Sequence, residues 1–311
     1  MNKRGLEMSF SWLFSIIVGA AILGLAVYGA TSIVHTQRTV QDSELGKQIG
    51  TILTPLESGV ADLKSDVIKM PVKSRIYNRC REEGTFGSQE LSVASSSGVG
   101  EDEWQRAGAP SQFNNKYVFS SAVIEGERFN VLSKGVEFPF SIGEMTVVWP
   151  EDKVYCFVQP PVEIENEIDN LGLKNINITE RSSECLKNST KVCFASAGCE
   201  IDVSVQSKSV AKKEGVVYYE GDLFYGAIFA DKGIYECQVR RLMKRAAELS
   251  SLYSAKSEFV SAKGCPTTLS GSLASYSQMA MSLNSSVELR ALSMLSSEIG
   301  RQNGLLNCKL F

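Results

Sequence analysis

The 311-residue sequence has a single histidine, His35. One imidazole excludes a Ser-His-Asp triad, a Cys-His dyad and any multi-histidine metal centre within the chain. Neither G-x-S-x-G nor G-x-x-x-x-G-K-[ST] occurs, so the motifs that carry acyl and phosphoryl transfer are missing too. There is no C-x-x-C pair; the tightest cysteine spacings are Cys185 to Cys193 and Cys193 to Cys199. A thiolate zinc site is therefore not expected. A formal net charge of −3 fits neither a disordered polyion nor a nucleic-acid binder. Aromatic residues that could stack bases between the basic ones are also lacking. No catalysis, cofactor, metal or nucleic acid is expected. The enzymatic alternative is a Ser-Lys hydrolase, which needs only two side chains brought together and leaves no motif.

One long absence of charge is informative. Met8 to Val34 contains no Asp, Glu, Lys or Arg over 27 residues. A helix of that length rises about 40 Å and exceeds the roughly 30 Å hydrocarbon layer of a bilayer. Membrane lipid is therefore the expected partner of this helix. A cleaved signal peptide has an apolar region of only about 7 to 15 residues, and Ala30-Thr31-Ser32 is a weak cleavage site, so the span is expected to be retained. Trp12 and Tyr28 lie toward its ends, where amphipathic rings suit the interface. Lys3 and Arg4 precede it, and fewer cationic groups follow it at once (His35, Arg38). This pattern predicts a single-pass cell-membrane protein with its N-terminus in the cytoplasm and its C-terminal domain outside.

The cysteines agree with export. Cys80, Cys156, Cys185, Cys193, Cys199, Cys237, Cys265 and Cys308 are absent from the span, and an even count in an exported segment favours disulfides. Asn177, Asn188 and Asn284 open glycosylation sequons.

Beyond the span, Leu45, Ile49, Ile52, Leu56, Val60, Leu63 and Val67 recur at helical steps, interrupted by Pro55. They predict a stalk helix over 35–70, packed on its own domain or paired with a partner helix. After Met70-Pro71 short β-branched and aromatic runs follow, at Tyr117–Phe119, Phe129–Leu132, Val136–Phe138, Met145–Trp149 and Val154–Val158. Their spacing suggests an antiparallel meander rather than β-α-β units. The Ser- and Gly-rich residues 84–115 read as a long exposed loop. Ile164, Ile168 and Leu171 share one face of a short helix ended by Gly172, whose acids Glu163, Glu165, Glu167 and Asp169 read as a solvated face. Three cysteines crowd 175–220, where a stapled hairpin or loop is expected. From Gly233 the helical period returns, with Ile234, Leu242, Leu249, Leu252 and Phe259 near one face. After Gly264-Cys265-Pro266 a second helical region follows over 269–299, with Leu283, Val287, Leu292 and Leu295 as burial candidates. A two-helix hairpin returns the chain end toward the start of the first helix and would pair Cys237 with Cys308. Arg240, Arg241, Lys244 and Arg245 form a basic patch on that helix, read as a wet surface or a seat for anionic lipid headgroups.

Lys3-Arg4-Gly5 ahead of the apolar helix resembles the processing site of type IV prepilins, which implies cleavage after Gly5 on the cytoplasmic face. In that family a Glu stands at the fifth mature position, whereas Glu7 would stand at the second. Arg75–Cys80, Tyr155-Cys156-Phe157, Tyr235-Glu236-Cys237 and Arg241–Arg245 are similar to an uncharacterised group of archaeal membrane-anchored proteins. The expected architecture is α+β: a cytoplasmic tail (1–7), a transmembrane helix (8–34), the stalk helix (35–70), a disulfide-stapled antiparallel β-rich domain (71–231) and a C-terminal helical hairpin packed on it (232–311). The expected role is structural, adhesive or in envelope assembly, with homo- or hetero-oligomers forming through the transmembrane and stalk helices. A pilin-like filament subunit is the alternative within that class.

Overall fold

The computed structural model describes residues 10–52, 64–96, 104–195 and 197–311. It is an α+β protein in which one apolar N-terminal helix leads into two six-stranded sheets and a helical layer. Helix α1 runs unbroken from Phe10 to Ile52, 43 residues and about 65 Å long. Its stretch Trp12–Ala30 is long and apolar enough to cross a membrane, and none of it is buried against the rest of the chain. Signal sequences share that composition.

The first sheet contains β1 (Lys64–Arg81), β2 (Ser88–Ser95), β3 (Ser111–Phe113), β4 (Tyr117–Phe119), β5 (Val123–Glu137) and β6 (Ser141–Pro150), in the order β3-β2-β1-β5-β6-β4. All its pairs are antiparallel except β4 with β6. Period-two alternation divides its side chains between two cores. Ile76, Val93, Val118, Phe129, Val131 and Val148 face the second half of α1. Tyr117, Phe119, Leu132, Val147 and Trp149 face the remaining layers.

The second sheet contains β7 (Tyr155–Val158), β8 (Ile176–Thr179), β9 (Thr190–Cys193), β10 (Ile201–Ser204), β11 (Ser209–Lys212) and β12 (Gly215–Tyr218). Here the meander expectation is corrected, because β7 pairs parallel with both β8 and β9. A parallel pair needs a crossover, and α2 (Val162–Leu171) supplies it as a β-α-β unit. Gly172 ends that helix at φ 60°, where a residue without Cβ is unstrained. Helices α3 (Leu223–Phe229), α4 (Lys232–Ala262), α5 (Leu269–Ser282) and α6 (Leu289–Leu305) complete the chain and share a core with both sheets.

Three further expectations are corrected. Residues 64–70, including Val67, lie in β1 rather than in the stalk helix. Their register against β5 buries Ile68 and Met70 on alternate positions, which a helix would not do. Pro55, Leu56, Val60 and Leu63 lie outside the described residues. The expected loop over 84–115 contains β2, which fills the slot between β1 and β3 and buries Leu91, Val93 and Ala94 between its serines. The hairpin is a three-helix unit, since a break at Leu283–Glu288 divides the second helical region and leaves Val287 exposed. Leu252 and Phe259 are exposed as well. Ser250, Ser254 and Ser277 bond carbonyls across α4 and α5, whose axes run antiparallel. Residue 286 then sits beside Glu236, and α6 runs back along α5 until the chain past it brings Leu310 to Lys256. The chain therefore ends near residue 265, and Cys308 pairs with Cys265 while Cys237 pairs with Cys80. Cys156–Cys185 and Cys193–Cys199 complete four disulfides with no cysteine left free.

Candidate functional site

The second half of α1 is seated on β2 and β3, so the apolar segment and the folded domain share one continuous helix. Asp42, wholly buried, accepts from the Ser95 backbone N–H at 3.2 Å and from the Ser95 hydroxyl. Ser43 accepts from the Ala109 N–H at 2.9 Å. The approach is close: a Cβ on Gly108 would lie 2.5 Å from the Ser43 nitrogen. Leu45 and Ile49 pack beneath, in the helical stripe expected of them. Asp42 was not singled out in the sequence, where it stands beside a second acid, the exposed Glu44, at the start of the apolar stripe.

The basic patch is not a surface. Arg241 is fully buried and donates to the carbonyls of Phe86 (3.1 Å), Lys116 (2.9 Å) and Asn114 (3.0 Å) and to Gln238 Oε1 (2.8 Å). Its guanidinium lies 4.8 Å from the Tyr117 ring centre. Burial pushes its pKa down to about 10, so it stays charged at neutral pH. Arg240 forks onto Glu82 at 2.7 and 2.6 Å, and Lys244 donates to the Glu82 carbonyl. That fork holds the Glu82 carboxyl below its ordinary range. Arg245 has its Nε buried without a hydrogen-bond partner. Three of the four cations spaced for a lipid surface, Arg240, Arg241 and Lys244, are instead bound between α4 and the segment from Glu82 to Lys116.

Other candidate positions are scattered. Asn188 and Asn284 are exposed and Asn177 is half-buried on the edge strand β8. In the Asn284 sequon the Ser286 hydroxyl is buried, donates to Glu236 and accepts from the Tyr218 N–H. Lys3, Arg4, Gly5 and Glu7 lie outside the described residues. Of the α2 acids only Glu167 is drawn into the fold: it meets Lys134 at 2.8 Å and accepts from the Tyr225 hydroxyl. Lys134 also meets Asp222 at 2.8 Å, which ties the first sheet to α2 and α3. Cys193, Cys199 and Asp202 converge, but the sulfurs are joined to each other and the carboxylate accepts the Gly198 and Cys199 N–H groups.

Where β6, β7 and α3 meet, a cavity of about 120 Å³ is lined by Ser121, Val123, Trp149, Lys153, Tyr155 and Phe229 among others. Phe229 stacks on Trp149 at 4.6 Å and takes the Tyr155 ring on its edge at 4.7 Å. Lys153 is exposed, with its ammonium 5.3 Å from the Tyr155 ring, and solvent offsets much of the desolvation that pushes it downward. Ser121 and Lys153 share the cavity without a hydrogen bond between them. The neighbouring Lys212 donates to the Ala230 carbonyl, and burial lowers it to about 8 against the opposing fields of Asp231 and Glu214.

Lys212 therefore binds its proton more weakly folded than unfolded, and its stabilising contribution is complete above the unfolded value near 10.5 and lost as pH falls through about 8. Between pH 7.5 and 9.5 the chain should gain about 1–2 kcal/mol in denaturant unfolding. Lys212→Met should flatten that slope, and an unchanged slope would show that the ammonium is solvated.

No family model, curated protein or solved structure matches this chain.

Proposed function

We propose that this chain is an exported structural protein of the cell envelope, held in the membrane by the first half of α1 with Lys3 and Arg4 on the cytoplasmic side. The observation that carries this reading is the single helix: none of its Trp12–Ala30 segment is buried, while Asp42, Gly46 and Ile49 of the same helix are buried against the domain. Four disulfides suit an oxidising compartment. Alkaline carbonate extraction of membranes should leave the chain in the pellet, and alkylation without reduction should label no cysteine. Recovery of the full-length chain in the soluble fraction, or eight reactive thiols, would overturn the proposal.

A second reading is a pilin-like filament subunit, favoured by the same continuous helix together with the Lys3-Arg4-Gly5 start. In a filament the exposed apolar half of α1 would pack against copies of itself. N-terminal sequencing separates the two: a mature chain beginning at Leu6 supports the subunit, and a start at Met1 or Asn2 supports the simple anchor.

A further inference from the structure

We propose that Asn188 is a glycosylation site of the folded chain, and that folding withdraws the sequons at Asn177 and Asn284 from reaction. In the cell the modification rests on the export proposed above. Transfer makes two demands on the acceptor: the Asn amide nitrogen must reach a sugar carbon, and the Ser or Thr hydroxyl that completes the triplet must be open to the enzyme that reads it. The donor class is an oligosaccharide carried on a lipid diphosphate. Asn188 Nδ2 attacks its anomeric carbon, the N–C bond forms as the C–O bond to phosphate breaks, the lipid diphosphate leaves, and the amide gives up one proton.

The Asn188 triplet meets both demands. Lys187 and Asn188 are the exposed middle residues of a turn over 186–189, which the Ser189 N–H and hydroxyl close on the Leu186 carbonyl at 3.1 and 2.7 Å. Ser189 is therefore tied down, but among the described residues nothing bonds the Asn188 amide or the half-buried Thr190 hydroxyl. Thr190 is the first residue of β9, so the triplet lies at the mouth of a strand and not within it. The Cys156–Cys185 bridge anchors the chain just ahead of the turn.

The other two triplets are closed. Asn177 is half-buried inside β8, opposite Cys156 of β7. Its Thr179 hydroxyl donates to the Arg181 carbonyl at 3.3 Å and lies 3.4 and 3.7 Å from the bridged sulfurs of Cys156 and Cys185. Asn284 spends its amide on the Ser282 carbonyl at 3.0 Å. The fully buried Ser286 donates its hydroxyl to Glu236 at 2.6 Å and its N–H to the same carboxylate at 2.8 Å, and accepts from the Tyr218 N–H at 2.9 Å. Either triplet must break such bonds before an enzyme can read it.

The test adds an oligosaccharyl transferase and its lipid-diphosphate-linked oligosaccharide to the full chain, purified without reductant in detergent micelles. The same chain, reduced, alkylated and unfolded, is treated in parallel, and peptide mass mapping reads each sequon. In the folded chain Asn188 should be modified at least about tenfold faster than Asn177 or Asn284, because those two react only after local opening. The alkylated chain should lose that preference. Asn188→Gln, at an exposed side chain, should leave the folded protein without glycan and its four disulfides intact. A folded chain bare at Asn188, comparable rates at the three sequons of the folded chain, or the same order in the alkylated chain would overturn the proposal. Failure of the export reading would show separately, as a soluble chain with reactive thiols, and would leave these rates unchanged.

Discussion

Replacing Cys80 and Cys237 together by serine is expected to destabilise the folded chain by about 5 kcal/mol, more than removal of any other bridge. The bridge closes a separation of 157 residues, against 43 for Cys265–Cys308, 29 for Cys156–Cys185 and 6 for Cys193–Cys199. In the chain-entropy account a cross-link removes more freedom from the unfolded ensemble the longer its loop, and the other three should cost about 4, 3.5 and 2 kcal/mol. Position adds to the effect. Cys80 is opposite Gln89 in the β1–β2 ladder, and Gln238, next to Cys237, donates to Gln89 Oε1, so the sulfurs close the seam that the side-chain amides fill. Denaturant unfolding of the four double-serine variants should give midpoints in that order. A larger loss at Cys193–Cys199 than at Cys80–Cys237 would show that the bridges act by local packing and not through the unfolded chain.

The pairing also shows where sequence was informative. The β-branched and aromatic runs at Met145–Trp149 and Phe129–Leu132 marked strands, and they are apolar at successive positions because each face of the first sheet has its own apolar layer. The face of α2 and its end at Gly172 were equally plain. The strand β2 was hidden because serines alternate with its buried residues, and small polar side chains resemble a loop until neighbours close over them. The parallel order of β7, β8 and β9 was also hidden, since four-residue strands carry no sign of their direction. A break of a few residues near Leu283 moved the chain end from one end of α4 to the other and with it the partner of Cys308. The cavity had no linear signature: Ser121, Trp149, Lys153 and Phe229 meet only after two sheets and α3 have packed. Spacing along a helix tells which residues share a side, and it does not tell whether that side is wet.

Arg241 is the sharpest instance, and Arg241→Met is expected to cost about 3 kcal/mol and lower the melting temperature by about 10 °C. Two effects compete. Burial of the guanidinium is unfavourable, as its depressed pKa of about 10 records, and a methionine of similar length would relieve that penalty. Against this, the carbonyls of Phe86, Asn114 and Lys116 would lose their donor, and backbone acceptors cannot be replaced along with the side chain. Each buried acceptor left bare costs about 1–3 kcal/mol, so the loss prevails. The Tyr117 ring also loses its cation. Arg241→Lys keeps the charge but cannot reach three divergent carbonyls with one ammonium, and should recover less than half of the loss. Arg240→Ala, on the partly exposed Glu82 pair, should cost under about 1 kcal/mol. Thermal unfolding of the three variants at pH 7 decides between a structural seam and a surface patch. Equal, small losses at 240 and 241 would mean that the guanidinium is solvated, and would return all four cations to the lipid-facing role that their spacing first suggested.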